Sequence, residues 1–286
     1  MYKIAILGCE NSHANIFLNY ILKDKKYEDI EVVGVYSDDS DAAEKLHEEY
    51  GVYVAKSFDE FVGKVDGIAV TARHGDNHYK FAKPYIKYGI SVFVDKPVTV
   101  SESDAIEFAN ELKSYNSKVC GGSVCGFAKE VQKMKQLVKN KEQGEVYGGY
   151  LRDIIDLDND YGGFYFYAQH LVQIMSEIFG YYPNSVKAFE NNKIITCVVR
   201  YDEYDVNLEY VDGNYITNLT VSCEKQVVST PYSLDGCFEE EFELFYKILK
   251  GEEQHKSYED FIAPVFVINA ISRSLESGNE EVVRRF

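Results

Sequence analysis

The sequence predicts an α/β protein in two parts, an N-terminal parallel sheet followed by a C-terminal α/β domain with an open, mainly antiparallel sheet. Three observations predict it. Up to about residue 122, short apolar runs alternate with segments of helical periodicity, the pattern of right-handed crossovers. Beyond that point period-two segments appear, as in Val198 to Tyr201, Val206 to Val211 and Tyr215 to Ser222, which suit strands with one exposed face. Between these regimes the apolar run Ile90-Ser91-Val92-Phe93-Val94 stops at Asp95-Lys96-Pro97, as a buried parallel strand stops at a polar turn. The expected domains are residues 1–122 and 123–286.

Taken in order, Lys3 to Leu7 forms the first strand and a helix runs through Ala14 to Leu22. Glu31 to Tyr36 is the second strand. An Asp/Ser cluster caps the helix that follows it, from about Ser40 to Tyr50. Gly67 to Thr71 is a further strand, and a helix from Asn77 to Tyr88 ends at Gly89 as its C-terminal cap. After the strand that ends at Lys96, a helix opens with the acidic first turn Ser101-Glu102-Ser103-Asp104 and runs to Tyr115. This is a Rossmann-type organisation. In the second part, a helix covers Lys129 to Val138, a stretch dense in tyrosine and glycine follows, and helices near Cys237 to Leu249 and Tyr258 to Glu276 close the chain.

Composition narrows the function. The 286 residues, 45% of them apolar, suffice for two modest cores. Thirty basic against 47 acidic side chains give a net charge of -17, a field that repels nucleic acid and anionic membranes. No apolar stretch approaches the ~20 residues of a membrane span. Met1-Tyr2-Lys3 leads straight into the first strand, so a cytoplasmic location is expected, with the six scattered cysteines as reduced, mostly buried thiols.

In open α/β sheets ligands sit beyond the carboxyl ends of the strands, which makes Lys96 a candidate catalytic group on a turn stiffened by Pro97. Gly8-Cys9-Glu10-Asn11-Ser12-His13 occupies the first strand-to-helix turn, where dinucleotide folds carry Gly-x-Gly-x-x-Gly. Only the first glycine is present. Glu10 and His13 replace the other two, and Asn11 or Ser12 can cap the helix or contact phosphate. At the end of the second strand, Ser37 stands at the usual acidic position with Asp38 and Asp39 next to it. Two aspartates accept ribose hydroxyls and repel a 2′-phosphate, so NAD is expected, with NADP disfavoured. Thr71-Ala72-Arg73-His74-Gly75-Asp76-Asn77-His78 forms a polar loop that either underlies the cofactor or caps a helix. The expected cofactor-binding residues are thus Gly8, Glu10, Asn11, Ser12, Ser37, Asp38, Thr71, Ala72, His74, His78, Asp95, Lys96 and Pro97.

These residues, together with Gly162-Gly163 upstream of His170, resemble the Gfo/Idh/MocA oxidoreductase family over nearly the whole chain. In that family the acidic-Lys-Pro motif is the most specific mark, and the resemblance implies that Lys96 contacts both nicotinamide and substrate. It also implies a C-terminal sheet that mediates a homodimer or homotetramer, and a last helix that returns toward the first domain. One departure stands out. Where members show Asp-x-Gly-x-His, this chain has Phe166-Tyr167-Ala168-Gln169-His170, so only the histidine remains, and the later acidic position is Gln173.

His170 can still serve as a general base, since an unperturbed imidazole titrates near ~6.5. Tyr167 can replace the missing carboxylate. The expected activity is NAD(P)-dependent hydride transfer to or from a sugar, polyol or related hydroxy compound, with a small-molecule substrate and neither nucleic acid nor membrane as partner. The alternative is a degenerate relative that binds a nucleotide or metabolite as a sensor or scaffold. Asp156, Asp158 and Asp160 lack the later glycine and glutamate of a calcium loop, so no metal is expected.

Overall fold

The computed structural model describes every residue from Met1 to Phe286, in two compact units. The first comprises Met1–Thr99, Ser103–Gly122 and Phe238–Phe261. Its strands are β1 (Tyr2–Leu7), β2 (Ile30–Tyr36), β3 (Gly67–Val70), β4 (Ser91–Asp95) and β5 (Val119–Gly122). All pair in parallel in the order β2-β1-β3-β4-β5. The chain leaves β1 to one side to make β2 and returns on the other to make β3, so the winding reverses between β1 and β3, where an open sheet leaves a crevice. Helices α1 (Ser12–Leu18), α2 (Ser40–Tyr50), α3 (Asp76–Ile86) and α4 (Glu102–Ser114) connect the strands. The helix expected to run to Leu22 changes to a wider π-helical turn over Asn19–Lys23.

One expectation about the domains fails. Phe238–Phe261, assigned from sequence to the C-terminal domain, belongs to the first unit. The reason is burial. Helix α7 (Cys237–Leu249) places Phe242, Phe245, Ile248 and Leu249 in the cluster of Ile4, Ile6, Phe17 and Phe93. The Phe242 ring lies 4.7 Å from the rings of both Phe17 and Tyr27, and burying one such side chain is worth about 1.5–3 kcal/mol.

The second unit comprises Val100–Glu102, Ser123–Cys237 and Ile262–Phe286. Its elements are α5 (Lys129–Asn140), β6 (Val146–Ile155), α6 (Phe164–Phe179), β7 (Ser185–Asn191), β8 (Ile194–Arg200), β9 (Asp205–Asp212), β10 (Asn218–Cys223) and β11 (Val227–Thr230). Helix α8 (Tyr258–Ser277) and the short β12 (Glu281–Val282) follow α7. The sheet order is β11-β10-β6-β9-β8-β7-β12, antiparallel except for β6 with β9. Alternation is clear: Ile195, Cys197 and Val199 on β8 and Val206, Leu208 and Tyr210 on β9 are buried. The strand expected from Tyr215 begins only at Asn218, because the Arg152 guanidinium binds the Asn214 side chain and the Ile216 carbonyl and holds that stretch as a loop. All six cysteines are buried free thiols, and no helix is long and apolar enough to cross a membrane.

Candidate active site

In the first unit the chemistry-bearing residues gather at the carboxyl ends of β1 to β4. Gly8 follows β1 with φ +92, where L side chains are strained, and a Cβ there would stand 2.3 Å from the Ala72 nitrogen. Only glycine fits this turn. Its N–H donates to the Tyr36 carbonyl at 2.6 Å, and the buried Thr71 hydroxyl donates to the Gly8 carbonyl at 2.5 Å. Thr71 and Ala72 therefore shape the glycine turn from the β3 side.

Asn11 caps α1 by accepting the Ser12 N–H at 2.7 Å, and its amide donates to Asp95 Oδ2 at 2.5 Å. The other oxygen of Asp95 accepts the Lys96 N–H at 2.7 Å. One carboxylate thus ties the first turn to the candidate lysine. Lys96 is only 5% exposed and its bond to Pro97 is cis. Below this pair lies His13, with Nδ1 3.0 Å from Asp95 Oδ2 and Nε2 3.1 Å from Glu241 Oε2. Burial by itself lowers the His13 pKa, but the two carboxylates outweigh burial and raise it, Asp95 foremost. Burial pushes Asp95 up, yet His13 and then Lys96 bring it below the usual carboxylate range. Burial raises Glu241 against the opposing pull of His13.

The polar loop after β3 divides between roles. His78 is fully buried, with Nδ1 2.5 Å from the Pro97 carbonyl and Nε2 2.7 Å from the Ala72 carbonyl, and burial lowers its pKa. Both ring nitrogens face backbone carbonyls, to one of which the neutral ring donates its N–H, so His78 supports the loop and the Lys96-Pro97 turn rather than presenting a nitrogen to a cofactor. His74 accepts the Asp76 N–H at 3.3 Å at the start of α3, a helix-entry contact.

At the end of β2, Glu10 accepts from the Ser37 hydroxyl at 2.7 Å and from the Arg73 N–H at 2.9 Å, which uses one oxygen for each. Its charge is tethered between the β2 end and the β3 loop. Asp38 is half-exposed; it accepts the Tyr36 hydroxyl at 2.6 Å and stands 3.6 Å from Lys80 Nζ, while Asp39 caps α2 through the Ala42 N–H. These residues fit a dinucleotide: Gly8 permits the tight turn after β1 at a positive φ, packed against Ala72, Asp38 offers a carboxylate for ribose hydroxyls, and Lys96 stands beyond β4 for the nicotinamide end.

In the second unit, Asn159 organises the glycine loop before α6: its amide donates to the Asp156 and Gly163 carbonyls, and its oxygen accepts the Tyr161 and Gly163 N–H groups. That loop launches α6, which carries His170. His170 Nδ1 lies 2.7 Å from Ser123 Oγ and 3.3 Å from Cys125 Sγ. The Tyr167 ring packs 5.5 Å from the imidazole, so it adjoins His170 as a tilted aromatic neighbour. Gln173 donates to Glu177, whose other oxygen pairs with Lys135 at 2.7 Å. A carboxylate thus stands one helical turn beyond the position where the family resemblance places it.

Sequence reasoning missed Glu241, Ser123, Cys125, Asp153 and Tyr232. Tyr232 donates to Asp153 Oδ2 at 2.6 Å and lies 3.6 Å from Cys125 Sγ. A signal existed for Asp153, which shares its strand face with Leu151 and Ile155, both fully buried. A carboxylate on an inward face needs a partner. Nothing local marks Glu241, which reads as one of several acids opening α7.

Residues 2–122 match the family described as "Oxidoreductase family, NAD-binding Rossmann fold". An uncharacterized oxidoreductase of Streptococcus pneumoniae is 32% identical over 111 residues, which span 38% of this chain and 30% of that protein. Among solved structures, scyllo-inositol dehydrogenase from Lactobacillus casei, with bound NAD(H) and scyllo-inositol, superposes with a TM-score of 0.85 at 16% identity over 99% of each chain. A myo-inositol dehydrogenase from Corynebacterium glutamicum superposes at 0.83 and 17% identity over 100% of each. At these identities the likeness is one of fold.

Proposed function

We propose that this chain, a divergent member of the Gfo/Idh/MocA oxidoreductases, is an NAD-dependent dehydrogenase of a polyol, sugar or related hydroxy compound. The observation that carries the proposal is Lys96, buried at the carboxyl end of β4 and held by Asp95, which is tied in turn to the glycine turn after β1. Gly8 and Asp38 would hold the dinucleotide. NAD supplies a hydride acceptor when bound. Lys96, as an ammonium, stabilises negative charge developing on the substrate oxygen. His170, with Nδ1 engaged by Ser123 and Cys125, exchanges the hydroxyl proton through Nε2. The fold likeness to inositol dehydrogenases supports a polyhydroxylated substrate as the first class to assay.

Calorimetric titration with NADH and NADPH, followed by NAD reduction over a panel of inositols, sugars and polyols, tests the proposal. Micromolar NADH binding, weaker NADPH and turnover that falls at least about a hundredfold in Lys96→Met are expected. A second reading is favoured by Glu10, which puts a carboxylate where the second glycine of the turn is missing. On that reading the chain is a sensor, and it binds nucleotide or metabolite but turns over no member of the panel.

A further inference from the structure

The histidine of the second unit lacks the acidic neighbour that its sequence context leads one to expect, and the tertiary structure brings another. Asp153 is 3% exposed, and its Oδ1 accepts the Ile154 N–H at 2.8 Å while Oδ2 accepts the Tyr232 hydroxyl at 2.6 Å. A phenol has one proton. With that proton committed to the carboxylate, the Tyr232 oxygen is an acceptor toward Cys125, whose sulfur lies 3.6 Å away. A Cys125 thiol that donates to that oxygen turns its sulfur lone pairs toward His170 Nδ1, 3.3 Å away. Ser123 Oγ, which already accepts the Cys125 N–H at 3.2 Å, shares that nitrogen at 2.7 Å. Every donor in this chain then points the same way, from imidazole to thiol to phenol to carboxylate.

We propose that Asp153, acting through Tyr232 and Cys125, is the acidic positioning group for His170, holding its proton on Nδ1 and favouring the imidazolium. The consequence is a defined tautomer: with Nδ1–H donated inward, Nε2 carries the lone pair that takes a substrate proton. The positive charge gained on that transfer is then felt by the buried carboxylate at the far end of the network. Burial raises both Asp153 and Tyr232, and the hydrogen bonds from Tyr232 and the Ile154 N–H oppose that rise at Asp153. Other titratable groups against α6 are committed elsewhere. The Tyr210 hydroxyl donates to the Ala168 carbonyl, Lys135 and Tyr181 engage Glu177, Arg152 pairs with Glu209, and Tyr167 meets His170 through its ring.

What His170 does for a substrate rests on the oxidoreductase reading, whereas its titration does not, so the test is read on the full chain without turnover. The chain has six histidines, and the ring carbon-proton signals of carbon-13-labelled protein report each titration by nuclear magnetic resonance. His170→Gln identifies the signal. Asp153→Asn is expected to lower the His170 midpoint by about half a pH unit or more. Tyr232→Phe and Cys125→Ala break the chain and are expected to lower it too, whereas Cys125→Ser, which keeps a donor and an acceptor, retains the wild-type midpoint. An unchanged midpoint in Asp153→Asn overturns the proposal. Should that variant fail to fold, an unchanged midpoint in Tyr232→Phe and Cys125→Ala overturns it equally. A protein that shows the shifts but binds no NADH would refute the dehydrogenase reading alone.

Discussion

The imidazole of His13 stands 3.0 Å from the carboxylate of Asp95, the same carboxylate that accepts the backbone N–H of Lys96. His13 replaces a glycine of the dinucleotide turn, and its ring bridges Asp95 to Glu241 on α7. A position that reads as a defect in a motif thus anchors the start of α1 to the end of β4.

Replacing His13 with Gln leaves two buried carboxylates without their cation, at an expected cost of about 3–5 kcal/mol. The raised pKa of His13 means that its contribution is complete below the unfolded value of ~6.5 and fades as pH climbs through the raised folded value. Asp95, with its lowered pKa, contributes above ~3.9 and loses that contribution as pH falls through its folded value. Urea unfolding of the wild type and His13→Gln should therefore differ most between about pH 4 and 6.5 and converge toward alkaline pH. A difference that is the same at pH 5.5 and pH 10 would contradict the ion-pair account.

Gly8→Ala must place a methyl group against the Ala72 backbone at a positive φ. We expect a loss of about 1–3 kcal/mol in unfolding free energy and a matching loss of NADH affinity. Wild-type binding by calorimetry in this variant would show that the turn does not approach the cofactor.

Asp38 is the only aspartate of the Ser37-Asp38-Asp39 run not committed to a helix cap, and it is half-exposed. Asp38→Ala should weaken NADH about tenfold and NADPH less, since the lost groups are acceptors for ribose hydroxyls. Equal loss for both cofactors would remove Asp38 from the specificity argument.

Phe242→Ala tests the reassignment of α7. Its side chain is fully buried among Phe17, Tyr27 and Phe245, so a cavity cost of about 3–5 kcal/mol is expected. Hydrogen exchange should show the loss of protection in β1 and α1. Loss confined to the strands β6 to β11 would place α7 with the other unit.

Strands β1, β3 and β4 were legible because each is a short apolar run buried along most of its length. Helix α3 ends at Ile86 with Lys87 as its cap, short of the expected Gly89, which takes the positive φ of the turn that follows, whereas Asp39 caps α2 within the Asp/Ser cluster as expected. Strand β5 and helix α6 escaped notice. Val119-Cys120-Gly121-Gly122 is too short and too rich in glycine to stand out, and the tyrosines and phenylalanines that open α6 carry little periodicity.

The sequence by itself determined the order of β1 to β4 with the helices between them, the glycine turn after β1 and the Asp95-Lys96-Pro97 turn, because these depend on neighbours a few residues apart. Tertiary structure alone decided which groups share a proton. His13 meets Glu241 across |i−j| = 228 and Tyr232 meets Asp153 across |i−j| = 79. The pairings themselves leave no local trace: the inward strand face shows that Asp153 needs a partner but not that it is Tyr232, and Glu241 reads as one of several acids opening α7. They form because a buried charge must find a counter-charge or a donor wherever the fold brings one.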